Sequence, residues 1–252
     1  MVADGTSGPR EQAAPVRAVL LDALGTLVGL EPPAPALVTA LAGFGVHVTP
    51  AEAGRAVAAE MGHYRAEHHR AGTAAGLADV RAECGRVMRG SLGAAGHDLG
   101  AIGDAAMVDD VLLRCFRFTA YPEAATVLRA LRTRGLALVV CSNWDLSLHD
   151  VLAETGLDRL LDGAAVSAVE GVAKPHPGLF ARALELAGGV EPAAALHVGD
   201  SVAADVAGAL AAGVRPVLVQ RDGDELRSVD DGGPVPAGVP VLPDLRGLLD
   251  LV

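Results

Sequence analysis

The sequence predicts an α/β protein with a doubly wound parallel sheet and an all-helical segment inserted after the first strand. Short apolar runs alternate with helical patterns over much of the chain, which is typical of a parallel sheet with helices on both faces. Between residues 30 and 119 this alternation stops and only helical patterns remain. The 252 residues, of which 51% are hydrophobic, supply enough apolar surface to fill such a core.

The sheet is predicted from six apolar runs, and its covering helices from the segments between the later runs. The predicted strands are residues 16–21, 137–141, 163–167, 194–198, 215–219 and 240–242. The predicted helices are residues 145–155, 177–187 and 203–212. In a sheet of this kind, ligands bind outside the carboxyl ends of the strands.

The inserted segment contains three helical stretches, one of which has a clear start. Thr49 and Pro50 are typical of a helix N-cap and of the first helical position. The Pro-containing junctions "EPPAP" and "TAYPE" flank the segment and are predicted hinges, and "RDGDELRSVDDGGPVPAGVP" near the end is a predicted polar loop. We therefore expect a flexible tail over residues 1–14, a core domain formed by residues 15–30 and 120–252, and a helical cap domain over residues 31–119.

Composition excludes several classes of partner. A formal net charge of -11 argues against a nucleic-acid partner, because phosphate backbones are bound by basic surfaces. No apolar run reaches the ~18 residues of a membrane span, and the first residues lack a basic-then-apolar signal pattern. Cys84, Cys115 and Cys141 have no CxxC spacing and fit buried thiols in a reducing compartment. We expect a cytoplasmic protein without a membrane partner, and the pattern carries no prediction of the oligomeric state.

Polar residues of complementary type follow four of the predicted strands. Each short motif alone is ordinary turn or cap chemistry. Together, at four successive strand ends of one sheet, they predict a single site, and Lys174 is the only lysine of the chain. The residues are Asp22 and Thr26 in "DALGT", Ser142 and Asn143 in "CSNWD", Lys174 in "GVAKPHP", and Asp200 and Asp205 in "GDSVAAD".

The chemistry of this set favours a divalent cation and a phosphoryl group. Asp22 and Asp200 close together would repel each other unless a cation lay between them, so we expect Mg²⁺ held by carboxylates, a backbone carbonyl and waters. Lys174, Ser142 and nearby backbone amides would then hold a phosphoryl group. A carboxylate nucleophile at this point would form an aspartyl-phosphate, with its charge offset by the metal and the lysine.

Over residues 16–221 the chain resembles the haloacid dehalogenase superfamily, a group of hydrolases dominated by phosphatases. The motifs that carry the resemblance are "LLDALGTL", "VVCSNWD", "GVAKPHPGLF" and "HVGDSVAADVAGALAAG". It implies a Rossmann-like core with a smaller cap domain, and a small phosphorylated metabolite as substrate. The resemblance also implies roles for the residues of the site. Asp22 would be the nucleophile and a Mg²⁺ ligand, the Leu24 backbone carbonyl and Asp200 would be further ligands, and Asp205 would be a supporting acid near the metal. The phosphate-binding residues would be Thr26, Ser142, Asn143 and Lys174, with Thr26 also ordering its loop.

Leu24 departs from the pattern of the family, whose phosphatases usually carry a second Asp at this position. That Asp protonates the leaving group, and such general acid–base help is worth ~10²–10⁴-fold in rate. One alternative is a substrate whose leaving group needs no proton, such as an acyl or aryl phosphate. A second is an acid supplied from elsewhere, for which the candidates are Tyr64, His68, His63, His69 and His176.

Two further functions stay open at the level of sequence. Carbon–halogen hydrolysis fits Leu24, because halide leaves without a proton, but "GDSVAAD" keeps the acidic residues that would repel a haloacid when no metal is bound. A weakly active phospho-binding or regulatory protein is the other alternative. Against it, a signalling receiver module is about half this length, and Asp22, Lys174 and Asp200 are all retained.

Overall fold

A six-stranded parallel sheet forms the centre of the molecule in the computed structural model, which describes residues 14–221 and 233–252. The strand order is β5-β4-β1-β6-β7-β8, so the first strand lies in the middle of the sheet. The strands are β1 (Ala18–Leu21), β4 (Ala137–Ser142), β5 (Gly163–Val166), β6 (Ala195–Gly199), β7 (Arg215–Val219) and β8 (Val241–Leu242). Most of the predicted tail, and residues 222–232 of the predicted polar loop, lie outside the described residues.

Helices cover both faces of this sheet. Successive side chains of a strand point to opposite faces, so Val19 and Leu21 pack into one apolar cluster while Ala18 and Leu20 pack into another. Two helices contribute to the first cluster, α5 (Ala124–Thr133) and α6 (Leu148–Glu154), and two to the second, α8 (Pro177–Leu186) and α9 (Ala207–Ala211). A short helix, α7 (Ser167–Glu170), follows β5. The predicted doubly wound parallel sheet is therefore confirmed.

Among the described residues, four α-helices lie between β1 and α5 in the chain and have their own apolar cluster. They are α1 (Pro33–Ala42), α2 (Pro50–Glu67), α3 (Ala74–Ala94) and α4 (Ala105–Leu113). A two-stranded antiparallel ribbon, β2 (Val28–Leu30) paired with β3 (Phe118–Ala120), joins this helical segment to the sheet. A strand of three residues is too short to show an alternation of apolar and polar side chains in the sequence, so this ribbon was not predicted.

Local side-chain chemistry sets several of the helix boundaries. Thr49 caps α2 as predicted, because its side chain accepts from the backbone N–H of Glu52 while the Glu52 carboxylate accepts from that of Thr49. Helix α6 begins at Leu148, three residues later than predicted, because the Asp145 carboxylate binds the backbone N–H of Ser147 at 2.7 Å and holds a turn there. The predicted helix 203–212 begins instead with a wider π-type turn, Val202–Val206.

The three cysteines are buried and free, as expected for packed thiols in a chain without a disulfide framework. Within the described ranges, none of the helices is long and apolar enough to cross a lipid bilayer.

Candidate active site

The carboxyl ends of the central strands bring three acidic side chains together. Asp22 directly follows β1, where its backbone N–H donates to the Val198 carbonyl at 2.8 Å and extends the pairing with β6. Asp200 directly follows β6, and Asp205 lies one turn further along the chain. One carboxylate oxygen from each of the three lies within 4.8 Å of the others.

Lys174 ties two of these carboxylates together from inside the protein. Its Nζ donates to Asp22 Oδ1 at 2.7 Å and to Asp205 Oδ1 at 2.5 Å, and only 5% of the residue is exposed. The Asn143 side chain holds the backbone of this lysine, because its Oδ1 accepts from the Lys174 N–H at 2.7 Å and its Nδ2 donates to the Lys174 carbonyl at 2.9 Å. Both polar atoms of the Asn143 carboxamide are thus engaged in positioning Lys174.

Asp205 is bound on both of its oxygens. Besides Lys174, its Oδ1 contacts His197 Nε2 at 2.8 Å, and its Oδ2 accepts from the Ser201 backbone N–H at 2.9 Å. His197 is fully buried in β6, where its ring packs edge-on against Phe180 with the centroids 4.9 Å apart. Asp205 therefore acts as an anchor for the lysine, whereas Asp22 and Asp200 keep oxygens that face the site.

Burial and mutual repulsion perturb the titration of the cluster. Burial first, and then the charges of Asp22 and Asp205, raise the pKa of Asp200 to about 8 against the opposing effect of Lys174. Burial also raises the pKa of Asp22, against the effect of Lys174. Burial opposes ionisation of Asp205, but Lys174 and His197 outweigh it and leave the pKa of that carboxyl well below its usual value.

Two glycines are required by the close approach of these carboxylates. Gly25 adopts φ +76°, and a Cβ there would lie 2.3 Å from Asp200 Oδ2. A Cβ at Gly199 would lie 2.1 Å from the Asp205 carboxyl carbon. The glycines of "DALGT" and "VGDS" therefore leave the space that the acidic side chains occupy.

An arginine far along the chain braces the loop that follows Asp22. Arg221 donates to the carbonyls of Gly25 at 3.0 Å and Thr26 at 2.9 Å, and its guanidinium lies 3.4 Å from the centroid of the Tyr121 ring. It also pairs with Glu123 at 2.8 Å. The sequence pattern does not predict this role. Its only signal is a cationic residue just beyond the end of β7.

The remaining predicted phosphate contacts are buried beside the cluster. Ser142 ends β4 and is buried, and its side chain favours the ionised form of Asp22 by lowering its pKa. Thr26 is fully buried, and its Oγ1 has no hydrogen-bond partner among the described residues. The structure thus gathers Asp22, Ser142, Lys174, Asp200 and Asp205 at one strand edge, with Thr26 and Asn143 on the loops that support it.

The donor set fits a hard divalent cation. Carboxylate oxygens are the ligands that Mg²⁺ prefers, and Asp22 and Asp200 supply them within a few ångströms of each other. A bound cation would also lower the raised pKa of Asp200, because its charge would offset the burial and the neighbouring carboxylates that oppose ionisation of this group. Asp22, Asp200 and the backbone carbonyl of Leu24 are the groups that would hold the ion, with Asp205 behind them.

A cavity of about 580 Å³ opens between this edge of the sheet and the helical segment. Leu24, Asn143 and Trp144 line it from the sheet side, and Tyr64 and His68 line it from α2 and the turn that follows. Burial first, and then the nearby charge of Asp145, raises the pKa of the Tyr64 phenol far above its usual value.

The other proposed acids lie elsewhere or are engaged. His63 contacts Glu83 at 3.2 Å, and His176 Nδ1 accepts from the Gly178 N–H at 3.0 Å at the start of α8. His69 is exposed and is not part of the cavity wall. Glu60, one helical turn before Tyr64, does line the cavity, and burial raises its pKa to about 7. The signal that could have identified Glu60 is its i, i+4 spacing from Tyr64.

Comparisons with known proteins agree with this architecture. Residues 16–213 match the family model described as haloacid dehalogenase-like hydrolase. The mouse haloacid dehalogenase-like hydrolase domain-containing protein 3 is 38% identical over 137 residues, 54% of this chain and 54% of the relative. A phosphoserine phosphatase from Thermus thermophilus is 42% identical over 106 residues, 42% of each chain. The chain thus spans about half the length, or less, of the curated relatives that it matches.

Solved structures share the fold over nearly the whole chain. An HAD phosphatase from Thermococcus onnurineus superposes with a TM-score of 0.60 at 22% identity, covering 94% of this chain and 97% of its own. The L-2-haloacid dehalogenase from Xanthobacter autotrophicus superposes with a TM-score of 0.64 at 23% identity, covering 94% and 98%. At this identity the likeness is one of fold, and it includes both a phosphatase and a dehalogenase.

Proposed function

Because this chain belongs to the haloacid dehalogenase-like hydrolase family, we propose that it is a Mg²⁺-dependent phosphatase acting on a small phosphorylated metabolite through an aspartyl-phosphate at Asp22. The observation that carries the proposal is the cluster in which Lys174 bridges Asp22 and Asp205 while Asp200 lies within 4.8 Å. A phosphatase-named relative, the Thermus thermophilus phosphoserine phosphatase, supports the choice of reaction.

The proposal assigns the chain to two functional parts. Residues 15–30 and 120–252 form the core domain that carries the chemistry, and residues 31–119 form a cap domain that closes over the substrate. The cavity between the two supports this division, because its walls come from both. The residues that set specificity would then be those of the cap.

In the first step an oxygen of Asp22 attacks phosphorus, the bond from phosphorus to the leaving oxygen breaks, and the phosphoryl group stays on the aspartate. Lys174 and the hydroxyl of Ser142 offset the negative charge of the phosphoryl oxygens, and Asn143 keeps Lys174 in place. In the second step water attacks the aspartyl-phosphate, releasing phosphate and restoring the carboxylate. Mg²⁺ bound by Asp22, Asp200 and the Leu24 carbonyl would supply further charge neutralisation.

Carbon–halogen hydrolysis is the second candidate function, and Leu24 is the observation that favours it. The same Asp22 would attack carbon and release halide, which needs no proton. The acidic cluster weighs against it, because without a metal three carboxylates beside one lysine would repel a haloacid. A regulatory phospho-binding role requires that the aspartyl-phosphate persist, and it predicts formation of the phosphorylated protein without turnover.

The test is a parallel release assay on the purified protein and its Asp22→Asn variant. We expect phosphate release from phosphate esters that depends on Mg²⁺, disappears with EDTA and is lost in the variant, because the amide is no nucleophile. Exposed Asp79, replaced by asparagine, serves as a matched control with unchanged activity. Activity retained in Asp22→Asn would refute the mechanism, and metal-independent halide release from 2-haloacids would support the dehalogenase instead.

A further inference from the structure

The cavity between the strand edge and the helical segment is lined mainly by apolar surface. Next to the sheet its wall contains the side chains of Leu24, Phe118 and Trp144, together with the polar residues Asn143, Asp145 and Ser147. At the opposite end it carries the polar residues of the helical segment, among them Glu60 and His68. Leu24 lies two residues after Asp22 and lines this wall, so an ester oxygen bonded to the phosphorus atom that Asp22 attacks would depart beside Leu24.

The polar side chains on the sheet side of the cavity are already engaged with one another. The Asn143 carboxamide is used by the Lys174 backbone. Asp145 Oδ1 accepts from the backbone N–H of Ser147 at 2.7 Å and from its hydroxyl at 2.5 Å. The side chains of Asn143, Asp145 and Ser147 are thus held by these hydrogen bonds, and Leu24 has no proton to give to a departing oxygen.

We infer, resting on the proposed phosphatase function, that this site selects apolar phosphate esters whose leaving oxygen departs as a weakly basic anion, of which an aryl phosphate is the simplest example. The bond between phosphorus and the aryl oxygen breaks as the bond from Asp22 forms, and the electron pair leaves on the phenolate. That anion takes its proton from solvent only after it has left. A strongly basic alkoxide would need a proton in the transition state, and Leu24 has none to give.

The apolar part of the cavity wall favours an apolar substrate body through the hydrophobic effect. Met61, Val80 and Phe116 continue the apolar lining into the helical segment. An aromatic or aliphatic group placed there removes apolar surface from water, which is worth about 25 cal/mol per Å² of buried area. A polyhydroxylated group such as a sugar would lose hydrogen bonds to water without replacing them.

Three phosphate esters distinguish the effect of leaving-group basicity from the effect of an apolar substrate body. Phenyl phosphate and benzyl phosphate have similar apolar bodies, but phenolate is the weaker base, with a conjugate acid pKa of about 10 as in the tyrosine phenol. Glycerol 3-phosphate has a basic leaving group and a polar body. We expect kcat/KM for phenyl phosphate to exceed that for benzyl phosphate by about 10²-fold or more, and KM for benzyl phosphate to lie below that for glycerol 3-phosphate.

Substitutions at Leu24 then identify the cause. Leu24→Asp should raise kcat for benzyl phosphate and so reduce the ratio of the phenyl phosphate rate to the benzyl phosphate rate. Leu24→Asn introduces a side chain of the same shape as aspartate but without an acidic proton, and it should leave this ratio unchanged. Glu60→Gln should leave the phenyl-to-benzyl ratio unchanged. A selective loss of benzyl phosphate turnover in Glu60→Gln would mean that the helical segment supplies an acid, and it would overturn the inference.

The outcomes separate this inference from the function on which it rests. Magnesium-dependent release that requires Asp22 but proceeds equally well from phenyl and benzyl phosphate would refute the selectivity and leave the phosphatase function standing. No gain for benzyl phosphate in Leu24→Asp would refute it as well. No phosphate from any of the three esters, with circular dichroism showing folded protein, would refute both.

Discussion

Replacing Asp200 with asparagine should stabilise the metal-free protein at neutral pH. Burial, reinforced by Asp22 and Asp205, raises the pKa of this carboxyl from its usual 3.8 to about 8. Below pH 3.8 the group is protonated in both the folded and the unfolded chain and costs nothing. Between pH 3.8 and 8 the unfolded chain ionises first, so the free energy of unfolding falls as pH rises.

The size of this effect follows from the same two values. At pH 7 the group lies about 3 pH units above its usual pKa, and each unit is worth about 1.4 kcal/mol, so the upper limit of the penalty is about 4 kcal/mol. For a chain of this length 1 kcal/mol moves Tm by about 2–4 °C. Asp200→Asn should therefore raise Tm in EDTA at pH 7 by at most roughly 8–16 °C, and by almost nothing near pH 4.

Thermal unfolding in EDTA and in Mg²⁺, at several pH values, measures both halves of the prediction. Wild-type protein should gain stability from Mg²⁺ at pH 8, because ligand that binds only the folded state raises Tm, whereas Asp200→Asn should gain less. Asp79→Asn removes an exposed carboxylate and controls for the change in net charge. The reasoning fails if Asp200→Asn is no more stable than wild type at pH 8, or if it gains as much at pH 4 as at pH 8.

Two further substitutions test how the site is held. Asn143→Ala removes both side-chain hydrogen bonds to the Lys174 backbone, so the free energy of unfolding measured in urea should fall by about 1–3 kcal/mol. The value of kcat should also fall, while the Mg²⁺ dissociation constant stays the same. A changed Mg²⁺ affinity with normal kcat would contradict the positioning role. Gly72→Ala places a Cβ 2.1 Å from the Ala168 carbonyl, where the helical segment meets the sheet, and overpacking of this kind costs about 1–3 kcal/mol. The measured result should be a lower Tm together with reduced phosphate release, whereas an unchanged Tm would show that this contact yields without cost.

The central sheet could be predicted from the sequence because its long strands are predominantly apolar. Runs such as "AVLL" and "ALVVC" are buried on both faces, and the connections between them leave helical patterns. Parallel strands also make the position of the site predictable, since all their carboxyl ends share one edge. That rule alone brings Asp22, Ser142 and Asp200 together without any knowledge of side-chain geometry.

The contacts that hold the site depend on the path of the chain and not on local pattern. Arg221 reaches the loop after Asp22 across 196 residues, and the bond from Asn143 to Lys174 spans 31. Neither pairing leaves a periodic signal. The contact of buried His197 with Asp205 could not be predicted for another reason. In the sequence, a histidine within an apolar strand cannot be distinguished from any other core residue.

The charge of the cluster accounts for the metal dependence expected of a phosphatase. Asp22, Asp200 and Asp205 contribute three negative charges and Lys174 one positive charge, so the fully ionised group carries a net charge of −2. A phosphate monoester brings about −1.5 to −2 more at neutral pH. This ester is repelled until the excess is neutralised, and a divalent cation cancels −2 whereas a monovalent cation leaves −1. Lys174 cannot supply the difference, because its ammonium is already shared between two of the carboxylates at 2.7 and 2.5 Å. Turnover of phosphate esters should therefore require a divalent cation, and K⁺ or Na⁺ should not replace it at any concentration that leaves the protein folded.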